Sequence, residues 1–200
     1  VKTQFILDSQ GFFDVLVEEA VSARKIKSAP LVKRYISQLL SYYLDARNLF
    51  ENDIVLNGNR KVSTLAEMYL VANSSEPPVR QSILKRLGDK ALYISGFFGS
   101  SLQRKVVDIE YYVQMGGAAY RDLAAMTKED GPARVYSIIS SRFVDYVDVL
   151  AFVSQKAMVQ NHRNIIELYE TWLRTGSLVA RDRLIEMGVI PVHAEQKAKA

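Results

Sequence analysis

The 200-residue chain has no cysteine, two histidines and one tryptophan. Without thiols there can be no disulfide, no thiolate metal site and no cysteine nucleophile. With only His162 and His193 as imidazoles, a histidine-rich metal centre lacks ligands. No apolar run approaches the ~20 residues of a membrane-spanning helix, so membrane insertion is not expected. Charge of one sign is also scarce: 26 basic against 22 acidic side chains leave +4. That is a thin excess for a polyanion binder, and neither a helix-turn-helix nor a zinc-finger pattern is present. Nucleic acid is therefore not an expected partner. The sequence also lacks a Gly-x-Ser-x-Gly nucleophile turn, a phosphate loop, a dinucleotide fingerprint and a Glu-x-x-His pair.

What is present is an ordinary globular composition, 48% hydrophobic and 24% charged, with apolar residues repeating at helical spacing nearly throughout. A first helix is expected from the Asp8–Ser9 caps to about Arg24, with Phe12, Val15, Leu16, Ala20 and Ala23 along its inner side. Pro30 suits the first turn of a second helix, which should reach about Phe50. Its stripe reads Leu31, Tyr35, Leu39, Tyr42, Tyr43, Ala46 and Phe50. Asn57-Gly58-Asn59 marks a tight loop or small hairpin. Thr64 and Glu67 have capping-box spacing and should open a third helix. Pro77-Pro78 precedes a fourth over about 79–98, Asp108 caps a fifth to about Met126, and Gly131-Pro132 starts a sixth.

The sixth helix is expected to run unbroken over about 132–159. It is apolar on most of its circumference, which suits the centre of a bundle. The polar run Gln160-Asn161-His162-Arg163 is expected to separate it from a seventh helix over about 164–174, and Gly176-Ser177 to precede an eighth ending near Met187. The fold class is thus all-α: a single-domain bundle of seven to eight helices over 1–190, with a possible sub-boundary at 74–78. Residues 191–200 read as a flexible tail.

Three constellations could carry function. The first is a glycine- and tyrosine-rich block containing Gly88, Tyr93, Gly96, Tyr111, Tyr112, Gly116, Gly117 and Tyr120. Glycine inside a helix costs about 1 kcal/mol relative to alanine, so these positions need either close helix packing or a ligand-sized hollow. On the second reading Tyr93, Tyr112, Tyr120, Gly116 and Gly117 would line it. Over about residues 88–123 the block resembles a motif of uncharacterised bacterial helical proteins, in which Gly-Asp precedes an aromatic-Ser-Gly-aromatic run and a Tyr-Tyr…Gly…Ala-Tyr helix. The resemblance implies a helical fold and no particular activity.

The second is basic: residues 79–105 carry Arg80, Lys85, Arg86, Lys90, Arg104 and Lys105 against the single acid Asp89. It reads as an anion or partner contact, or as a solvated face. Lys85 and Asp89 stand four apart, one helical turn. The third is Asp145 with Asp148, a pair that could hold magnesium and serve an enzyme, or could simply pair with Arg142.

No cofactor or metal is expected from this inventory, and proton-transfer groups are few. The expected function is a non-enzymatic cytoplasmic adaptor or regulatory subunit that binds a protein partner. The amphipathic pattern of the eighth helix suits either docking onto a partner or a second copy, as in a homodimer, or closing the bundle in cis. The alternatives are a small-molecule or nucleotide sensor using the tyrosine-lined hollow and the basic segment, and a magnesium-assisted enzyme using Asp145 and Asp148.

Overall fold

A computed structural model describes residues 9–45, 47–50, 54–56, 60–62, 64–99 and 108–186. Among them the chain is overwhelmingly helical: α1 (Ser9–Ala23), α2 (Pro30–Tyr43), α3 (Arg47–Phe50), α4 (Leu65–Asn73), α5 (Pro77–Phe97), α6 (Ile109–Met126), α7 (Asp130–Ser141), α8 (Phe143–Thr175) and α9 (Leu178–Glu186). The all-α class holds, with nine helices among the described residues rather than seven or eight. Between α3 and α4 lie two three-residue strands, β1 (Ile54–Leu56) and β2 (Arg60–Val62), paired antiparallel with Val55 opposite Lys61.

Several boundaries follow local chemistry. The Thr64 hydroxyl accepts from the Glu67 amide at 3.1 Å while the Glu67 carboxylate accepts from the Thr64 amide at 3.2 Å, a complete capping box. The Asp108 carboxylate accepts from the Ile109 amide at 2.6 Å and starts α6. Gly176, at φ 65°, ends α8, its amide bonding the Trp172 carbonyl at 2.8 Å.

Other boundaries correct the sequence reading. The second expected helix stops at Tyr43, and Arg47–Phe50 forms its own turn. The expected continuous helix over 132–159 is broken at Arg142, whose backbone (φ −128°, ψ 36°) leaves the helical region. There the Arg142 guanidinium donates to the Lys27 carbonyl at 2.6 Å and to Asp145 at 2.8 Å, holding the joint. Conversely, no break occurs at 160–163, where α8 continues. That run has neither glycine nor proline, so polarity alone gives the backbone no reason to leave the helix.

The chain divides into two compact units, Val1–Ser154 and Gln155–Ala200. Each has its own apolar cluster. The turn at 74–78 lies inside the first unit. In that unit α5 packs along α6, α6 against α7, α4 against α5 and α1 against α2. Its core includes Ile36, Leu40, Leu84, Leu92, Ile139 and Leu150, all at 1% exposure or less. The second unit gathers Trp172, Ala180 and Leu184, with Leu168 and Tyr169 against them. Among the described residues no helix is long and apolar enough to cross a membrane. The expected tail at 191–200, His193, Arg104 and Lys105 lie outside the described residues.

Candidate functional site

Two helix faces build the site. Ser82, Lys85, Arg86 and Asp89 recur at three- and four-residue steps along α5, and Tyr35, Gln38 and Tyr42 do so along α2, so each set lies on one side of its helix. They face each other across a groove of about 500 Å³. Tyr43 and Leu39 complete its α2 wall.

The floor is a buried carboxylate. Asp89 Oδ1 accepts from the Tyr35 hydroxyl and, at 2.6 Å, from the Tyr120 hydroxyl. Its Oδ2 accepts from Lys85 Nζ at 2.6 Å. The Lys85 ammonium also stands 5.3 Å from the Tyr35 ring centre, in cation–π range. Tyr120 stacks on Tyr136 with centroids 6.0 Å apart, and Tyr35 meets Tyr136 edge-on at 5.7 Å. Three donors thus satisfy a carboxylate that would otherwise be costly to bury.

Glycine makes the network possible. A Cβ on Gly88 would stand 3.0 Å from the Cε1 and Cζ of Tyr120. Without one, the tyrosine ring lies on the α5 backbone and its hydroxyl reaches the next residue, Asp89.

The electrostatics fix the protonation of the donors. Burial first, then the Asp89 charge, raises Tyr120 well above the ordinary tyrosine value, and the same two causes raise Tyr35. Tyr43 is raised as well, by burial and then by Asp89. For Lys85, burial opposes the charge, but the Asp89 charge and hydrogen bond outweigh it and the lysine is held above its ordinary value. At neutral pH the phenols are therefore neutral donors and Lys85 is an ammonium. Neither is poised as a base or nucleophile, which would need a depressed pKa. The assembly is suited to holding geometry and charge.

Comparison with protein-family models, with curated proteins and with solved structures gives no match.

The structure distributes the residues singled out in the sequence unevenly. Tyr120 joins the network through Asp89, but Tyr93, Tyr112, Gly116 and Gly117 do not line the groove. Tyr93 is stacked between Tyr43, 4.6 Å away, and Phe97, 5.1 Å away, inside the core. Tyr112 is half-buried, edge-on to Tyr111 at 5.5 Å. At Gly116 a Cβ would run into the Phe143 ring and stand 2.8 Å from Ala91 Cβ, which is close helix packing rather than a hollow. Gly96 is similar, meeting the Leu150 Cβ and, at 3.0 Å, the Val147 carbonyl. At Gly117 a Cβ would find only ordinary contact, the Ser140 carbonyl oxygen at 3.9 Å, and the Gly117 carbonyl is taken by the Ser140 hydroxyl at 2.8 Å.

Of the basic segment, Lys85 and Arg86 reach the groove. Arg80 lies elsewhere, its Nε buried with no hydrogen-bond partner, and Lys90 is half-buried. Asp145 is tied to Arg142 at 2.8 Å and Asp148 is exposed. Among the described residues no three His, Asp or Glu side chains are grouped to hold a metal ion.

The sequence reading missed Asp89 as the centre of the site and placed Tyr35 and Tyr42 in an apolar stripe. The available signal was the Lys85–Asp89 spacing beside Gly88. The partners Tyr35 and Tyr120, 54 and 31 positions away, leave no local trace.

Proposed function

We propose that this chain is a non-catalytic binding protein that senses a small molecule in the groove between α2 and α5. The observation that carries this reading is the groove itself: about 500 Å³, in the range of small-molecule sites, with aromatic and polar walls over a floor already satisfied by its own hydrogen bonds. A pre-ordered floor lowers the ordering cost of binding. The titratable groups at the floor are engaged with one another, which supports binding over proton transfer.

The reading moves the expected hollow from the glycine- and tyrosine-rich block of α5 and α6 to the α2–α5 faces. A metabolite library screened by thermal shift on the full chain tests it. Hits should disappear in Ser82→Trp, which places an indole in the groove from an exposed position and should leave the unliganded melting temperature within a few degrees. A library without hits, or hits indifferent to Ser82→Trp, counts against the reading.

A second reading, a cytoplasmic adaptor or regulatory subunit that binds a protein partner or a second copy, is favoured by α9. While Leu184 and Ala180 are buried, Leu178, Val179 and Ile185 are 65%, 80% and 52% exposed, three large apolar side chains open to water within the nine residues of α9. Sedimentation across a hundredfold concentration range would reveal self-association, and Val179→Glu should abolish it if α9 is responsible.

A further inference from the structure

We infer that the turn between α1 and α2 docks on an anionic lipid bilayer, resting on the membrane surface rather than crossing it. The turn shares no residue with the α2–α5 groove.

Charge of one sign is concentrated here. Residues 20–44 hold five basic side chains and no acidic one. Lys33 is spent on Glu18. Arg24, Lys25, Lys27 and Arg34 are exposed and make no side-chain hydrogen bond or ion pair among the described residues. Asp145, the acid that the Arg142 joint brings to this end, is engaged by Arg142 at 2.8 Å.

The backbone holds that charge in place. The Ile26 amide bonds the Val21 carbonyl at 2.9 Å and the Lys25 amide the Ser22 carbonyl at 3.1 Å, the pair of bonds that ends a helix on a left-handed residue. Glycine is the usual occupant of that position, because a Cβ is penalised there. Here it is Lys25, at φ 54°. A lysine kept where glycine fits better is explained by a use for its ammonium. Ile26 packs against the core, the Lys27 carbonyl accepts from Arg142 at 2.6 Å, and the Ser28 and Tyr146 hydroxyls meet at 3.0 Å. The cations therefore stand on an ordered turn.

What lies beside them selects a bilayer. Ala29, Pro30 and Leu31 follow directly and are exposed, Leu31 at 57%, and Val144, two residues past Arg142, is 56% exposed. Cations flanking open apolar side chains match the interface of an anionic membrane, where headgroups take the charge and the acyl boundary takes the apolar atoms. Nucleic acid would be better served by aromatic side chains for stacking, and residues 20–34 contain none. An acidic peptide is ordinarily held in a groove, whereas this is the outer end of a helical hairpin.

Co-sedimentation of the full chain with vesicles tests this. Vesicles of phosphatidylcholine with about one-third phosphatidylserine should bind at least tenfold more tightly than vesicles of phosphatidylcholine alone, and raised salt should release the protein. Each cation near an anionic surface is worth about fivefold in partition, so Arg24→Gln, Lys25→Gly and Lys27→Gln combined should weaken binding tenfold or more. Leu31→Ser with Val144→Ser should weaken it severalfold at constant charge. Lys128→Gln, which removes the same charge at the opposite end of α7 from Arg142, should change it less than twofold.

Lys25→Gly alone guards against loss of fold. Glycine relieves the left-handed position, so this variant should melt at or above the parent temperature while binding severalfold less. No binding to anionic vesicles, equal binding to both vesicle types, or binding that the triple variant retains overturns the proposal. Binding of polyglutamate or single-stranded DNA in place of anionic vesicles, lost in the same triple variant, would give the turn to an acidic protein or a nucleic acid instead.

Discussion

Adjacent glycines in α6 show how far one methyl group can reach. Gly116 and Gly117 have the same intrinsic helix cost, so replacing either by alanine should gain up to about 1 kcal/mol from the backbone alone. At Gly116 the new Cβ meets the Phe143 ring and Ala91, and overpacking of that kind costs about 1–3 kcal/mol. At Gly117 the nearest heavy atom is the Ser140 carbonyl oxygen at 3.9 Å. Gly116→Ala should therefore destabilise and Gly117→Ala stabilise. Urea denaturation of the two variants checks this, and two midpoints moving the same way would refute it. In the site, Tyr120→Phe removes one of three donors from Asp89, and hydrogen bonds to charged groups contribute about 1.5–3 kcal/mol. Loss of unfolding free energy in that range is expected, because the fully buried ring leaves water no easy way to replace the hydroxyl. A Tyr120→Phe protein as stable as its parent would mean that Asp89 does not depend on the network.

Between α7 and α8 the chain turns on Arg142, whose guanidinium ties the Lys27 carbonyl and Asp145 together. Arg142→Leu keeps much of the side-chain bulk but deletes both bonds. It should cost about 1–2 kcal/mol, the lower part of the range for charge-assisted bonds because Arg142 is partly exposed. Asp145→Asn should cost less, since the carbonyl contact survives. This joint was not legible beforehand, because the apolar pattern runs straight through it and only the distant Lys27 carbonyl rewards the break. Boundaries with their own chemistry were legible: the Thr64–Glu67 box, the Asp108 cap and the Gly176 stop each need only residues within a turn. The facing of α2 was not. Its buried stripe is Val32, Ile36, Leu39, Leu40 and Tyr43, rotated by about one residue from the stripe that began at Leu31. Tyrosine is the cause, since it satisfies an apolar pattern while its hydroxyl seeks a polar partner. Counting Tyr35 and Tyr42 as core hid the groove, and with it the carboxylate that Tyr35 serves.

The buried phenols also give the protein a distinctive alkaline limit. Tyr35, Tyr43 and Tyr120 are all held above their ordinary value, with burial the foremost cause and the Asp89 charge next. In the unfolded chain they release protons near pH 10, while in the fold they keep them. Above that pH the unfolded state binds fewer protons than the native one, so stability falls as pH rises; below it the contribution is fully present. Lys85, also raised, acts with the same sign from slightly higher pH. Each such tyrosine removes up to about 1.4 kcal/mol per pH unit, or roughly 4 kcal/mol per unit for three. Against a typical stability of about 5–15 kcal/mol, about one to four pH units suffice, which places cooperative unfolding above about pH 11. Phenolate absorbance at 295 nm, recorded beside helical circular dichroism, should show an early step from exposed tyrosines and a late step coincident with loss of helix. Tyr35→Phe should make the melting temperature fall less steeply between pH 10 and 12. Titration of all eleven tyrosines in one step near pH 10, with the helical signal unchanged, would show that Asp89 and its phenols are open to water and that the floor of the groove is not the closed network described.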